Sequence, residues 1–201
     1  MPAPLSYLAL GDSYTIGEAV PAEARWPAVL ARRLREGGVA LGDPRIVAVT
    51  GWSTEELAAG MDAAGLAPPY DLVSLLIGVN DQYRQRPAEG YREPFRQLLQ
   101  RAVALAGGRP ARVVAVSIPD WGATRFGLGD ARGAARIARE LDEYNAIARD
   151  ETRQAGAHWV DITPLSRRHP DLVADDGLHP SAQQYELWTG LILPAARDAL
   201  G

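Results

Sequence analysis

Five short β-rich apolar runs, separated by stretches of helical periodicity, constrain the fold of this 201-residue chain more than any other feature. The runs are Leu5 to Leu10, Arg45 to Val49, Asp71 to Ile77, Arg112 to Ile118 and Ala157 to Val160. Between them apolar residues recur at three- and four-residue spacing: Trp26, Val29, Leu30 and Leu34, then Phe95, Leu98, Leu99 and Ala102. Ile137, Leu141, Tyr144 and Ala148 form a third stripe, and Tyr185, Trp188, Ile192 and Ala195 a fourth. Strands that alternate with helices imply βαβ units and a parallel sheet. Leu72 to Ile77 and Val113 to Val116 are almost continuously apolar, as strands covered on both faces must be. The expected architecture is therefore α/β with a central, doubly wound sheet, one domain spanning 1–201. Ligands of such sheets bind beyond the carboxyl ends of the strands.

Local signals refine this outline. Ser53 and Glu56 have the spacing of a capping box opening a helix through Leu57, and Pro180 reads as a first-turn proline of the last helix. Two connections are expected to be long, Gln82 to Glu93 and the Gly-rich Pro119 to Gly133, which carries Trp121 and Phe126.

Composition removes several functions. A net charge of −4, with the arginines interleaved among acids, leaves no clustered cationic face for nucleic acid. There is no Cys, hence no disulfide frame, thiolate nucleophile or zinc-thiolate site, and three histidines are too few to expect a metal. All 21 basic residues are Arg, so no mechanism can use a lysine Schiff base or a phosphate-loop lysine. No apolar run reaches the roughly 18 residues of a membrane span, and a first strand beginning near Leu5 leaves no room for a leader. The expected location is the cytoplasm, and the expected partner a small molecule.

What chemistry remains is carried by four short segments. In Asp176-Gly177-Leu178-His179 an Asp three residues before a His can turn its carboxylate onto one imidazole nitrogen, leaving the other to take a proton from Ser13 of Gly11-Asp12-Ser13. Ser13, Gly51 and Asn80 each follow a predicted strand, which places them at one edge of the sheet. Taken singly they have plainer readings: Ser13 as a helix cap, Gly51 as a tight turn, Asn80 as a loop residue. The functional alternative makes the Ser13 and Gly51 N–H groups and the Asn80 amide donors to a developing oxyanion. His158 lies in a strand and reads as structural. His169 reads as a solvated loop residue.

Gly11-Asp12-Ser13-Tyr14-Thr15-Ile16-Gly17, then Gly51, then Gly78-Val79-Asn80-Asp81, then Asp176-Gly177-Leu178-His179-Pro180 resemble, in order, the four blocks of the SGNH or GDSL hydrolase family. The resemblance implies a flavodoxin-like three-layer α/β/α sandwich with a five-stranded parallel sheet of order 2-1-3-4-5. It also implies cofactor-free serine hydrolysis of esters or thioesters. Carried over by position, Ser13 is the nucleophile, His179 the base, Asp176 its orienting acid, and Ser13, Gly51 and Asn80 the oxyanion hole. Carboxylic esters of short to medium acyl chains are the expected substrates. Carbohydrate O-acetyl esters are the alternative, with thioesters and lysophospholipids also open. Trp52, Tyr83, Trp121 and Phe126 suit either an acyl groove or a sugar platform. A non-catalytic flavodoxin-like binding module is the reading from outside enzymes, and it gives no reason for a distant Asp-x-x-His.

Overall fold

Tyr7–Gly11 forms β1, every residue of which is buried, and the sheet is assembled on both sides of it. The computed structural model describes residues 3–201. The remaining strands are β2 (Arg45–Ala48), β3 (Leu72–Leu76), β4 (Val113–Val116) and β5 (His158–Val160). They pair in parallel in the order β2-β1-β3-β4-β5, so the chain switches direction at β1 and β3. Ala9 stands beside both Ile46 and Ser74 in that register.

Eight α-helices are formed by the described residues: α1 (Ser13–Ile16), α2 (Trp26–Glu36), α3 (Thr54–Ala63), α4 (Val79–Tyr83), α5 (Ala88–Leu105), α6 (Ala134–Gln154), α7 (Thr163–Arg168) and α8 (Ala182–Leu200). α2 packs on α8 over one face of the sheet, and α3, α5 and α6 pack together over the other. The stripes meet the core as their spacing requires. Trp26, Val29, Leu30 and Leu34 of α2 are all buried, as are Tyr185, Trp188 and Ile192 of α8. Each such side chain contributes about 1.5–3 kcal/mol on burial, which ties the helices to the sheet far more firmly than helix propensity does.

Three boundaries differ from the expectations. Leu5 is not part of β1 but makes a lone bridge to Leu41. The final helix is capped by Ser181, whose hydroxyl accepts from the Gln184 N–H, so Pro180 precedes the cap instead of opening the first turn. The connection read from Gln82 to Glu93 is mostly helical: α4 ends at Tyr83 and α5 begins at Ala88. Pro94 lies inside α5, where proline ordinarily argues against helix. Of the expected Ser53–Glu56 capping box, the Glu56 half is made: its carboxylate accepts from the Ser53 N–H at 2.7 Å, while the Ser53 hydroxyl has no partner among the described residues.

Candidate active site

β1 ends in Gly11, and the chain turns at once into the single turn of α1. Asp12 caps it, its Oδ1 accepting from the Tyr14 N–H at 3.0 Å. Ser13 therefore occupies the first helical position at the carboxyl edge of the central strand. Its N–H, like that of any first-turn residue, has no intrahelical acceptor. Asp12 is wholly buried, and its Oδ2 has no partner among the described residues. Burial pushes its carboxyl up to about 8, aided by the charge of Asp81.

Gly51 occupies the next edge position, after β2. The Trp52 N–H bonds the Val49 carbonyl across a tight turn, and Gly51 takes φ +87°, a conformation that favours glycine. No atom lies within 4 Å of where a Cβ would stand, so the glycine is required by the backbone angle and not by crowding.

Asn80 follows β3 on α4. Gly78, at φ +124°, makes the corner, and the ring of Tyr91 lies so close that a Cβ there would come within 2.7 Å of it. The Tyr91 hydroxyl in turn donates to the Ile77 carbonyl at 2.9 Å, fixing the end of β3. One Asn80 Nδ2 hydrogen is held by the Trp52 carbonyl at 2.9 Å, which orients the amide and leaves its second hydrogen for the cleft. Asp81 braces the same corner: it accepts from the Thr54 N–H at 3.0 Å, the Thr54 hydroxyl at 2.9 Å and the Arg86 guanidinium at 3.0 Å. The start of α3, and with it the Gly51 turn, is thereby tied to α4.

His179 enters from the loop before α8. Its Nδ1 is 2.6 Å from Asp176 Oδ2, while Asp176 Oδ1 accepts from the N–H groups of Leu178 at 2.9 Å and His179 at 3.0 Å. Partial burial alone would raise the Asp176 carboxyl, but the three hydrogen bonds prevail and hold it below the usual carboxylate range. A carboxylate at Nδ1 selects the tautomer with its proton there, so the Nε2 lone pair is free. The loop is pinned from outside by the Phe126 N–H on the Gly177 carbonyl and by Arg125 on the Ala174 carbonyl.

Ser13, Gly51, Asn80 and His179 line one cleft of about 230 Å³, with Tyr14, Thr50, Val79, Tyr83, Trp121, Phe126 and Leu178. Ser13 is only 5% exposed, deeper than an open turn would leave it. Among the described residues no hydrogen bond joins its hydroxyl to His179; such contacts commonly tighten only when substrate binds. The Tyr14 ring meets the imidazole edge-on at 5.9 Å.

The aromatic residues divide. Tyr83 meets Trp121 edge-on at 5.3 Å, Phe126 stands 6.1 Å from Trp121, and all three line the cleft. Trp52 does not line it: its indole lies over Gly60 of α3, and only its carbonyl serves the site, through Asn80. Of the other histidines, His158 Nε2 meets the Ala111 carbonyl at 3.0 Å and His169 terminates α7. Neither lines the cleft. Sequence reasoning missed Asp81 and Tyr91, which position Asn80 without touching the cleft; the only signal was that Asp81 adjoins Asn80. No three His, Asp or Glu side chains among the described residues gather as metal ligands would, and none of these helices is long and apolar enough to cross a membrane.

A three-layer α/β/α sandwich of order 2-1-3-4-5, with Ser, Gly, Asn and His converging beyond its strand ends, is the scaffold of the SGNH ester hydrolases. The chain belongs to the GDSL-like lipase/acylhydrolase family, whose profile matches residues 9–187. No curated protein matches it by sequence. Solved structures align over nearly its full length. A psychrotrophic esterase from Pseudoalteromonas sp. is 16% identical with a TM-score of 0.73, covering 97% of this chain and 98% of that one. A lipase/acylhydrolase from Enterococcus faecalis is 21% identical with a TM-score of 0.72, covering 96% of each chain. An acetyl-xylooligosaccharide esterase from Geobacillus is 19% identical with a TM-score of 0.69, covering all of this chain and 97% of that one.

Proposed function

We propose that the protein is a serine esterase that hydrolyses carboxylic esters of short to medium acyl chains through an acyl-enzyme on Ser13. The observation that carries this reading is the 2.6 Å bond between His179 Nδ1 and a doubly anchored Asp176, beside a cleft that Ser13, Gly51 and Asn80 share. Ser13 Oγ attacks the ester carbonyl as His179 Nε2 takes its proton. The resulting oxyanion accepts from the Ser13 and Gly51 N–H groups and from the free hydrogen of Asn80. The imidazolium then protonates the departing alkoxide as its bond to carbon breaks. Water attacks the acyl-enzyme with the same imidazole as base, and the proton returns to Ser13 Oγ as the acid leaves.

The cleft favours an acyl chain over a sugar. Apart from the reacting groups its side chains are apolar except for the Tyr14, Thr50 and Tyr83 hydroxyls and the Trp121 indole N–H, and of these the Thr50 hydroxyl is already spent on Glu18 and the indole N–H on Gln82. A ring of sugar hydroxyls would find few partners there. A panel of chromogenic esters from acetyl to decanoyl, run beside acetylated xylan and acyl-CoA, tests this. Preferential deacetylation of the sugar would replace the acyl-ester reading with the carbohydrate one.

Asn80→Ala should lower kcat about 10²- to 10³-fold with little change in KM, because its donor meets charge that develops only in the transition state. Steady-state kinetics on an acetyl ester separate the two parameters. Weakened KM with unchanged kcat would place Asn80 in the binding pocket instead.

Phe126→Ala should reduce kcat/KM for octanoyl relative to acetyl esters about 10-fold, since an apolar wall acts unequally across chain lengths. Phe126 is 44% exposed, so its truncation opens no core cavity. Equal scaling of every ester would show that this wall does not touch the acyl chain.

A further inference from the structure

The cleft wall has a support that reaches through the protein to a second cavity. Gln82, 1% exposed, stands on α4 two residues beyond Asn80. Its Oε1 accepts from the Trp121 indole Nε1–H at 2.8 Å, and its Nε2 donates to Glu140 Oε2 at 2.7 Å. Glu140 Oε1 accepts from Arg136 Nε at 2.7 Å. The polarity of this relay is fixed at both ends: an indole N–H can only donate, and a carboxylate can only accept. The Gln82 amide therefore has one satisfactory orientation, and a buried indole N–H has no substitute acceptor nearby in the relay. Beyond Gln82, a cavity of about 240 Å³ is lined by Gln82, Arg86, Arg136, Glu140, Glu143 and Tyr144, among others. Gln82 is thus a partition between that cavity and the Trp121 wall. From the cleft side, Trp121 is held by Tyr83, Phe126 and the Arg132 guanidinium, which lies 5.0 Å from the indole ring, but none of these satisfies its N–H.

We propose that Gln82, held by Glu140, is a positioning residue for acyl-chain selectivity: it fixes the Trp121 indole as the wall against which a medium-length acyl chain lies. The proposal rests on the esterase reading of the cleft and adds to it a residue outside the cleft. Gln82 touches neither the substrate nor the reacting groups, and it acts only through Trp121. Loss of the tether leaves the indole N–H without its acceptor and the ring free to shift, so long chains lose contact while an acetyl group, which does not reach the wall, is unaffected.

The test is a polarity swap. Gln82→Glu places a carboxylate against Glu140, and the repulsion breaks the relay. Glu140→Gln alone keeps an acceptor for the Gln82 amide. The pair together restores it in reverse, because a carboxylate at position 82 accepts both from the indole and from an amide at position 140. The expected result is a fall of about 10-fold in the octanoyl-to-acetyl ratio of kcat/KM for Gln82→Glu, appearing in KM, near-normal behaviour for Glu140→Gln, and recovery to within about threefold in the double variant. Gln82→Met, close in volume but with only a weak thioether acceptor, should repeat the loss if Gln82→Glu does not fold. A merely structural role would lower all esters alike and would not be rescued by the swap; either outcome overturns the proposal. The same ratio is read without turnover from the affinities of octanoate and acetate for the Ser13→Ala protein, with and without Gln82→Met. Should no ester be hydrolysed, this binding ratio still decides: an unchanged preference for octanoate excludes the relay.

Discussion

Ser13→Ala should abolish ester hydrolysis, with kcat falling about 10⁴- to 10⁶-fold, while the melting temperature barely moves. The size of the effect follows from the position of the hydroxyl. Ser13 opens α1 at the end of the central strand, where its Oγ faces the cleft that also holds the imidazole and the oxyanion donors. With the hydroxyl gone, the donors can still polarise a carbonyl, but no covalent intermediate forms. The fold survives because Ser13 Oγ makes no hydrogen bond to any described residue, so its removal strands no partner, and the cap of α1 belongs to Asp12. Active-site titration with an alkyl phosphonate should give one equivalent bound in the wild type and none in Ser13→Ala. Burst-free residual turnover above about 1% of wild type, or phosphonate carried elsewhere than Ser13, would remove Ser13 from the role.

The sheet was legible because its strands are apolar on both faces; a buried parallel strand has no alternation to obscure it, and β3 and β4 stand out for that reason. Boundaries were less legible wherever a residue's usual meaning was overridden by its neighbours. Pro94 reads as a helix stop, but it sits early in a helix whose remaining length buries Phe95, Leu98, Leu99 and Ala102, and that packing outweighs one missing hydrogen bond. Pro180 reads as a first-turn proline, but the Ser181 hydroxyl that reaches the Gln184 N–H takes the cap. Within the cleft, Ser13, Gly51 and Asn80 could be placed at one sheet edge from strand order alone, since that depends only on topology, whereas His179 follows no strand and was marked by its spacing from Asp176. The aromatics could not be sorted in this way. Whether an indole faces a cleft or a neighbouring helix depends on which small residue lies opposite, and Trp52 found Gly60. Gln82 and Asp81 were invisible for a related reason: their partners, Glu140 and Thr54, are distant in sequence, and only the folded chain makes a buried amide or carboxylate look purposeful.

His179→Ala and Asp176→Asn should both lower kcat by about 10⁴-fold or more, and they should differ in kind. Removing the imidazole removes the base. Asp176→Asn leaves the ring in place but changes which nitrogen carries the proton. The Asn carbonyl can keep the Leu178 and His179 N–H groups that Asp176 Oδ1 now accepts, which turns its NH₂ toward His179 Nδ1. Nδ1 must then accept, the proton moves to Nε2, and the nitrogen that should receive the Ser13 proton no longer has a lone pair. pH separates these effects. Asp176 is held ionised below the usual carboxylate range, so its folded pKa lies below its unfolded one. Its contribution to stability is accordingly complete above the unfolded pKa and lost only as pH falls through the lowered folded value. A loss of kcat/KM on acidification from neutrality therefore does not belong to Asp176. Any loss of rate on acidification from neutrality should occur with the fold still intact by circular dichroism. Asp176→Asn should remain impaired as pH is raised, because the amide at Nδ1 selects the same tautomer of the neutral ring at any pH. A rate that is flat from about pH 5 to pH 9, recovery of Asp176→Asn at high pH, or a His158→Ala protein as impaired as His179→Ala would each assign the base to another group.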